Sequence, residues 1–135
     1  MKVLLVDDSR TVRAYVEGIL RGVSDITLLP AVTDGESAVQ MACSLKPDLI
    51  LMDLMLPALD GIAAIRQIMA LSPCPIVVLS DYLNTPGRDR TFEAFSEGAV
   101  DVLAKPQGLA AGPAADFANR LLSTVRLMAQ ARVIR

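Results

Sequence analysis

Asp48-Leu-Ile-Leu-Met-Asp53-Leu-Met-Leu-Pro57 is the stretch that decides the fold of this 135-residue chain. Its four consecutive apolar residues, Leu49 to Met52, are typical of a β-strand that is buried on both faces. Asp53 ends the run, and Pro57 lies in the loop that follows. Because such a strand must be covered on both sides, this stretch predicts a parallel sheet between two layers of helices.

Similar apolar runs recur along the chain and alternate with segments of helical periodicity. The predicted strands are Val3 to Val6, Ile26 to Val32, Leu49 to Met52, Ile76 to Leu79 and Val100 to Ala104. Pro30 lies in the second strand, and because proline cannot donate to a β-ladder we expect that strand at a sheet edge. This alternation, with right-handed crossovers, predicts a doubly wound α/β sheet.

The length fits one domain, with a core at 2–106, a Gly- and Ala-rich loop at 107–113 and a last helix at 114–132. That helix could lead into an output domain outside this sequence. Its predicted apolar face carries Phe117, Leu121, Val125 and Met128. A preceding helix carries Phe92 and Phe95, which we expect to serve the core.

The ionisable residues exclude several kinds of site. The chain has no histidine, so it can form no Ser-His-Asp triad, no histidine metal site and no phosphohistidine. The net charge of −2 and the pI near 5.0 argue against nucleic-acid binding through a basic surface. Arg88 and Arg90 are interpreted as part of a solvated loop.

Nothing in the sequence predicts a membrane span. The longest charge-free stretch, 67–80, is short and contains two prolines. Met1-Lys2 leads directly into the first strand, which leaves no room for a signal peptide. Cys43 and Cys74 imply no disulfide framework, so we expect a cytoplasmic protein with reduced thiols.

Polar residues follow four of the five predicted strands. Asp7 and Asp8 follow the first strand, Asp53 the third, Ser80 the fourth and Lys105 the fifth. The carboxyl ends of parallel strands meet at one edge, where ligands bind in doubly wound sheets. We therefore expect these side chains to converge.

The chemistry of this set is that of phosphoryl transfer. Clustered carboxylates repel one another, and Mg²⁺ relieves the repulsion because it prefers carboxylate, water and phosphate oxygens. A carboxylate such as Asp53 is also a competent nucleophile towards phosphorus. The Ser80 hydroxyl can donate to a phosphoryl oxygen, and Lys105 can neutralise its charge.

Each residue also has a simpler interpretation. Asp7-Asp8-Ser9 could only cap the first helix, and Asp53 could only form a turn. Their joint occurrence with Ser80 and Lys105 at corresponding strand ends favours a site.

Together these motifs resemble the receiver domain of two-component response regulators, from Lys2 to about Gln107. The matching segments are Val3-Leu-Leu-Val-Asp7-Asp8-Ser9, Asp48 to Pro57, Asp60-Gly61, Pro75-Ile-Val-Val-Leu-Ser80 and Gly98-Ala-Val-Asp-Val-Leu-Ala-Lys105-Pro106. The segment from Phe92 to Gly108 and the tail, with Val125-Arg126 and Ala131-Arg132, are similar to the N-terminal receiver of the chemotaxis protein-glutamate methylesterase.

The resemblance implies a flavodoxin-like fold with strand order 2-1-3-4-5 and a Mg²⁺ site. Asp53 would be the phosphoacceptor and a metal ligand. Asp8 would bind Mg²⁺ directly, Asp7 through water, and the backbone carbonyl of Met55 would complete the protein ligands; Mn²⁺ could replace Mg²⁺.

Further roles follow from the resemblance. Ser80 would sense the phosphoryl group, Lys105 would neutralise it, and a cis peptide is expected before Pro106. Two positions depart from the family: Val102 replaces the usual aromatic switch residue, and Asp81 replaces a small one. We expect Asp81 and Tyr82 to modulate the site, with Asp81 slowing phosphorylation by small anionic donors.

A histidine kinase or phosphotransfer protein would then supply the phosphoryl group. An output domain or target would contact the face formed by the fourth helix, fifth strand and fifth helix, and phosphorylation could cause dimerisation. The chain itself would not be an enzyme and would bind neither nucleic acid nor membrane.

Two alternatives remain. A pseudo-receiver would use the same fold only for protein contacts, which Val102 and Asp81 leave open. An aspartate-nucleophile phosphatase of the haloacid dehalogenase type needs a second Asp two residues after the nucleophile, and Met55 stands there instead.

Overall fold

The computed structural model describes residues 1–81, 85–105 and 114–131. Its sheet has five parallel strands in the order β2-β1-β3-β4-β5, which confirms the predicted fold and strand order. The strands are β1 (Lys2–Val6), β2 (Thr27–Leu28), β3 (Leu49–Asp53), β4 (Ile76–Ser80) and β5 (Asp101–Ala104). The helices are α1 (Arg10–Arg21), α2 (Gly35–Leu45), α3 (Gly61–Leu71), α4 (Thr91–Glu97) and α5 (Ala114–Met128).

Alternate residues of each strand enter two separate hydrophobic cores. Leu49 and Leu51 of β3 pack on the side of α1 and α5. Ile50 and Met52 pack on the opposite side, with α2, α3 and α4. Residues 49–52 are all fully buried, because this strand lies in the middle of the sheet and is covered on both faces.

The strand register brings the functional candidates to one edge. Val6 of β1 is paired with Met52 of β3, so Asp7 and Asp53 come next to each other at the carboxyl ends of these strands. Ser80 of β4 is paired with Ala104 of β5, and the backbone N–H of Lys105 donates to the Ser80 carbonyl at 2.9 Å. The sheet therefore ends in a row of polar side chains.

The second strand is shorter than predicted. Only Thr27 and Leu28 form the β2 ladder with β1, and Val32 makes an isolated bridge with Val6. Pro30 lies between these pairings, and because it has no N–H to donate, the ladder stops before it. The strand does lie at a sheet edge, as predicted.

The expectation that Phe92 and Phe95 are buried in the hydrophobic core is wrong. Their exposed fractions are 83% and 45%, and the residue that α4 buries is Ala94. Since each helical residue advances about 100° around the axis, Phe92 points roughly 200° away from Ala94. The short α4 thus presents aromatic side chains to solvent.

The last helix buries the predicted face. Phe117, Leu121 and Val125 are buried against the sheet, and Met128 packs partly against them. The helix ends at Met128, before the predicted end at 132, and 107–113 lies outside the described residues. Within the described part of the chain, none of the helices combines the length and apolarity needed to cross a membrane.

Candidate phosphoacceptor site

Three carboxylates meet at the ends of β1 and β3. Asp7, Asp8 and Asp53, here called the acidic cluster, each offer an oxygen that lies within 4.8 Å of the other two. Asp7 and Asp53 are buried, whereas Asp8 is exposed. The convergence predicted for these residues is therefore present in the structure.

The ammonium group of Lys105 lies against the acidic cluster. Its Nζ is 3.0 Å from Asp7 Oδ2, 3.2 Å from Asp53 Oδ2 and 3.5 Å from Asp81 Oδ2. The Lys105 side chain is only 4% exposed, whereas that of Asp81 is 60% exposed. The buried ammonium thus forms ion pairs with three carboxylates, two inside the site and one at its mouth.

Local backbone turns orient the two buried carboxylates. Asp53 Oδ1 accepts a hydrogen bond from the Met55 N–H at 3.1 Å, and Asp7 Oδ1 accepts one from the Ser9 N–H at 2.8 Å. The Ser9 hydroxyl, in turn, accepts from the Val12 N–H and caps α1. Helix capping is therefore done by Ser9, which leaves the Asp7 and Asp8 carboxylates available to the site.

Close packing fixes the loop behind Asp53. The Gly61 N–H donates to the Leu54 carbonyl at 2.9 Å, and Asp60 caps α3 through the Ala63 N–H. A Cβ atom added at Gly61 would lie 2.6 Å from the Asp53 carbonyl oxygen and 2.5 Å from the Leu54 Cα. Only glycine allows this approach, so the Asp60-Gly61 motif holds the loop between β3 and α3 close to the backbone of Asp53.

The charges of the site are incompletely balanced. Burial raises the pKa of Asp53, although the Met55 N–H and Lys105 act against it. Burial alone would lower the pKa of Lys105, but the Asp53 and Asp7 carboxylates outweigh it, and the pKa is raised. The site therefore holds a charged lysine and a carboxylate that is costly to ionise.

The Asp7 carboxylate is only partly satisfied by its neighbours. Asp7 Oδ2 is close to Lys105 Nζ, but the contact lacks hydrogen-bonding geometry, and the atom accepts no hydrogen bond from the described residues. Buried carboxylate oxygens are costly without a partner. Three carboxylates beside one ammonium, with a buried oxygen held only by an ion pair, fit a hard divalent cation such as Mg²⁺.

The other predicted residues lie around this centre. Ser80 is half-buried at the end of β4 and lines a pocket with Asp53, Met55 and Asp81. Val102 is half-buried in β5 and packs against the core on the side of α3 and α4. Tyr82 and Pro106, the latter with its expected cis peptide, lie outside the described residues.

Sequence reasoning missed two residues of this pocket. Arg88 and Arg90, interpreted as a solvated loop, line it together with Asp53 and Ser80. Their position in the sequence could have predicted this placement. They lie in the loop between β4 and α4, which begins at the same edge of the sheet as the acidic cluster.

Comparison with known proteins agrees with this architecture. Residues 3–114 match the response regulator receiver domain family. The chain belongs to this family. It is 40% identical to a protein-glutamate methylesterase/protein-glutamine glutaminase of Caldanaerobacter subterraneus subsp. tengcongensis, over 96% of this chain and 35% of that protein. It is 38% identical to a protein of the same description from Geobacter metallireducens, over 100% of this chain and 39% of that protein.

Solved structures give the same assignment. The response regulator domain of Thermotoga maritima CheB has a TM-score of 0.87 and 34% identity, with 98% of each chain covered. The receiver domain of a Pseudomonas aeruginosa PAO1 sensor histidine kinase, with a magnesium ion coordinated in its active-site cleft, has a TM-score of 0.76 and 31% identity, with 96% of this chain and 98% of that chain covered. This receiver thus spans little more than a third of the methylesterases it matches.

Proposed function

We propose that this receiver is a Mg²⁺-dependent phosphoacceptor switch that takes its phosphoryl group on Asp53. The observation that carries the proposal is the position of the Asp53 carboxylate, buried at the end of the central strand and 3.2 Å from the Lys105 ammonium. A carboxylate in this setting has a cation beside it and two further carboxylates within ligand distance.

Asp53, Lys105 and Ser80 have different roles in the proposed phosphoryl transfer. Asp53 uses a carboxylate oxygen to attack phosphorus, the bond from phosphorus to the donor's leaving group breaks, and an acyl phosphate forms on Asp53. The leaving group departs with the bonding electrons and is protonated by solvent. Lys105 offsets the added charge, and the Ser80 hydroxyl donates to a phosphoryl oxygen.

Asp7, Asp8, Asp53 and the backbone carbonyl of Met55 would hold Mg²⁺. The ion would supply charge neutralisation between the carboxylates and the phosphoryl oxygens. Mn²⁺ would replace it, because it binds the same oxygen ligands.

We propose a phosphohistidine donor, on a histidine kinase or phosphotransfer protein, since this chain has no histidine of its own. The likeness to methylesterases favours a chemotaxis pathway in the cytoplasm. The chain has neither histidine nor a Gly-x-Ser-x-Gly motif, so the esterase activity of the relatives would require a further domain. The exposed Phe92 and Phe95 support an output contact through α4, β5 and α5, with phosphorylation-dependent dimerisation as a further outcome.

One observation favours a second candidate, a pseudo-receiver. Val102 is packed against the core and has no aromatic ring. It therefore cannot act as the usual switch residue, whose ring moves between buried and exposed positions. If the site takes up no phosphoryl group, the receiver fold would serve protein contacts alone.

Intact-mass analysis separates these functions. Incubation with Mg²⁺ and acetyl phosphate or phosphoramidate is expected to add about 80 Da, the mass of one phosphoryl group. Asp53→Asn should abolish the gain, and Asp116→Asn, an equal change on the exposed start of α5, should not. No gain with either donor would contradict the switch and favour the pseudo-receiver.

A further inference from the structure

The three carboxylates of the acidic cluster are not held equally. Those of Asp7 and Asp53 each accept a backbone N–H of their own turn, and the Lys105 ammonium lies beside both. Asp8 differs, because no hydrogen bond or ion pair from the described part of the chain holds its exposed carboxylate. The place of the Asp8 carboxylate is therefore set by the backbone that carries it.

A side chain of α1, that of Arg13, contacts this backbone. Helical side chains lean towards the N-terminus of their helix, so the Arg13 side chain reaches back over the first turn of α1. Its Nη1 donates to the Asp7 carbonyl oxygen at 2.9 Å, in a partly buried contact. That carbonyl belongs to the planar peptide group that also contains the nitrogen and Cα of Asp8. The hydrogen bond thereby restrains the point from which the Asp8 side chain leaves the backbone.

The sheet does not restrain this peptide group by itself. The ladder between β1 and β3 ends one residue earlier, at the pair of Val6 and Met52. The Asp7 N–H still donates to the Val32 carbonyl at 3.1 Å, whereas the Asp7 carbonyl lies beyond the last ladder pair with β3. Arg13 therefore supplies from a side chain the hydrogen bond that the neighbouring strand no longer provides.

The stability of α1 alone does not account for a cation at this place. The positive end of a helix dipole disfavours positive charge, and the first turn of α1 has no acidic residue to offset it. Ser9 caps the helix without help from Arg13. A bound Mg²⁺ would be repelled by the guanidinium charge, so Arg13 can favour metal binding only through the hydrogen bond that it donates.

We propose that Arg13 is a positioning residue for the metal site, which holds the peptide group between Asp7 and Asp8 so that the Asp8 carboxylate stays within ligand reach of Asp53. This inference rests on the Mg²⁺ site of the proposed function. It assigns no contact between Arg13 and the ion. The sign of the effect on metal affinity separates the two influences of Arg13, because loss of positioning weakens Mg²⁺ binding, whereas loss of a repelling charge strengthens it.

The test measures the dissociation constant of Mg²⁺ by isothermal titration calorimetry in wild type, Arg13→Met, Arg13→Lys and Arg21→Met. Arg13→Met keeps an apolar stem but no donor, and it should raise the dissociation constant about three- to tenfold, the scale of one hydrogen bond that orients a metal ligand. Arg13→Lys keeps a cationic donor and should recover part of the affinity. Arg21→Met makes the same change at the far end of α1, where the side chain is 68% exposed, and it should match wild type.

A second measurement separates positioning from a general loss of stability. Labelling of Asp53 by phosphoramidate should need about three- to tenfold more Mg²⁺ for half of its maximal rate in Arg13→Met, while the maximal rate stays within about twofold of wild type. A merely structural role would lower the free energy of unfolding in metal-free buffer and leave the half-saturating Mg²⁺ concentration unchanged.

The outcomes for Arg13 and for the proposed function are distinguishable. A wild-type or tighter Mg²⁺ affinity in Arg13→Met would overturn the inference and leave the phosphoacceptor function standing, as would an equal loss in Arg21→Met. A wild-type chain that binds Mg²⁺ but takes up no phosphoryl group would contradict the phosphoacceptor function and leave the role of Arg13 standing. A wild-type chain that binds no Mg²⁺ would overturn both.

Discussion

At the scale of single residues, opposing influences act on the Asp53 carboxylate. Burial and the neighbouring Asp7 raise its pKa, whereas the Met55 N–H and Lys105 lower it. Lys105 itself is shared, because Asp81 Oδ2 approaches its Nζ to 3.5 Å from the mouth of the site. We therefore expect the reactivity of Asp53 towards a phosphoryl donor to depend on how strongly Asp81 competes for the Lys105 ammonium.

Replacing Asp81 tests this sharing. Asp81→Ala should accelerate labelling by acetyl phosphate, because it removes a competing carboxylate and a source of repulsion. The expected gain is roughly two- to fivefold, the scale of about 0.5–1 kcal/mol for an exposed ion pair. Initial rates measured by intact mass check it, with Asp116→Ala, at the exposed start of α5, as the control that removes one carboxylate elsewhere. An unchanged or slower rate in Asp81→Ala would contradict the sharing of Lys105.

Residue identities at strand ends were predictable, whereas side-chain exposure in the β4–α4 region was not. Asp7, Asp53 and Lys105 directly follow continuous apolar runs. The end of each run indicates where the strand stops. Phe92 and Arg88 belong to segments without a clear period. Their placement depends on how α4 rotates against the sheet, which is a tertiary contact that local sequence does not encode.

At the scale of elements, the loop from β3 to α3 determines where the Asp53 carboxylate lies. Gly61 permits α3 to start against the backbone of Asp53 and Leu54, and Asp60 caps the helix beside it. The sequence indicated a turn at Asp60-Gly61, but the reason for the glycine is a close approach that only the folded loop reveals.

Adding one methyl group tests this contact. Gly61→Ala should lower the free energy of unfolding by more than about 1 kcal/mol and slow labelling of Asp53, because the loop must shift. Gly18→Ala is the matched control, since a Cβ there meets nothing within 4 Å and an interior helical glycine should gain up to about 1 kcal/mol. Denaturant unfolding measures both, and a Gly61→Ala protein as stable as wild type would contradict the packing.

The last helix provides a second test at this scale. Leu121 is fully buried against the sheet, whereas Leu127 of the same helix is 64% exposed. Leu121→Ala should cost about 2–5 kcal/mol through lost burial and a cavity, and Leu127→Ala should cost less than about 0.5 kcal/mol. Similar unfolding midpoints for the two variants would show that α5 is not docked on this face.

At the scale of the whole molecule, two cores cover the two faces of one sheet. The continuous apolar run of β3 predicted that both faces of the sheet are covered, and the alternation of strands with helices predicted that the strands are parallel. The strand order came from the family resemblance, in agreement with the edge position inferred for the Pro30 strand. The length of β2 was overestimated because hydrophobicity alone cannot show where a strand loses its pairing partner. Cys74, in the core beneath α2, α3 and α4, reports on the integrity of this packing.

The reactivity of Cys74 should follow global unfolding. Burial raises the pKa of its thiol from 9.0 to about 12, so the folded protein keeps the thiol protonated. The stability that this protonated thiol contributes is present below pH 9 and is lost as the pH rises towards 12. Iodoacetamide at pH 8 should therefore modify the half-buried Cys43 first, with each site located by peptide mapping.

Destabilisation should then expose the thiol. Leu121→Ala is expected to speed alkylation of Cys74 in native buffer, because the reactive form is reached through unfolding. Modification of Cys74 at the rate of Cys43 in the wild-type protein would contradict its place in the core.

The central claim, phosphoryl transfer to Asp53, is tested most directly by reductive trapping. Borohydride reduces an acyl phosphate on aspartate to homoserine, and fragmentation of the peptide that spans 49–57 locates the change. After treatment with Mg²⁺ and phosphoramidate, we expect homoserine at position 53 and none when the cation is chelated. Homoserine at Asp7 or Asp8, or an unchanged Asp53 in fully treated protein, would contradict it.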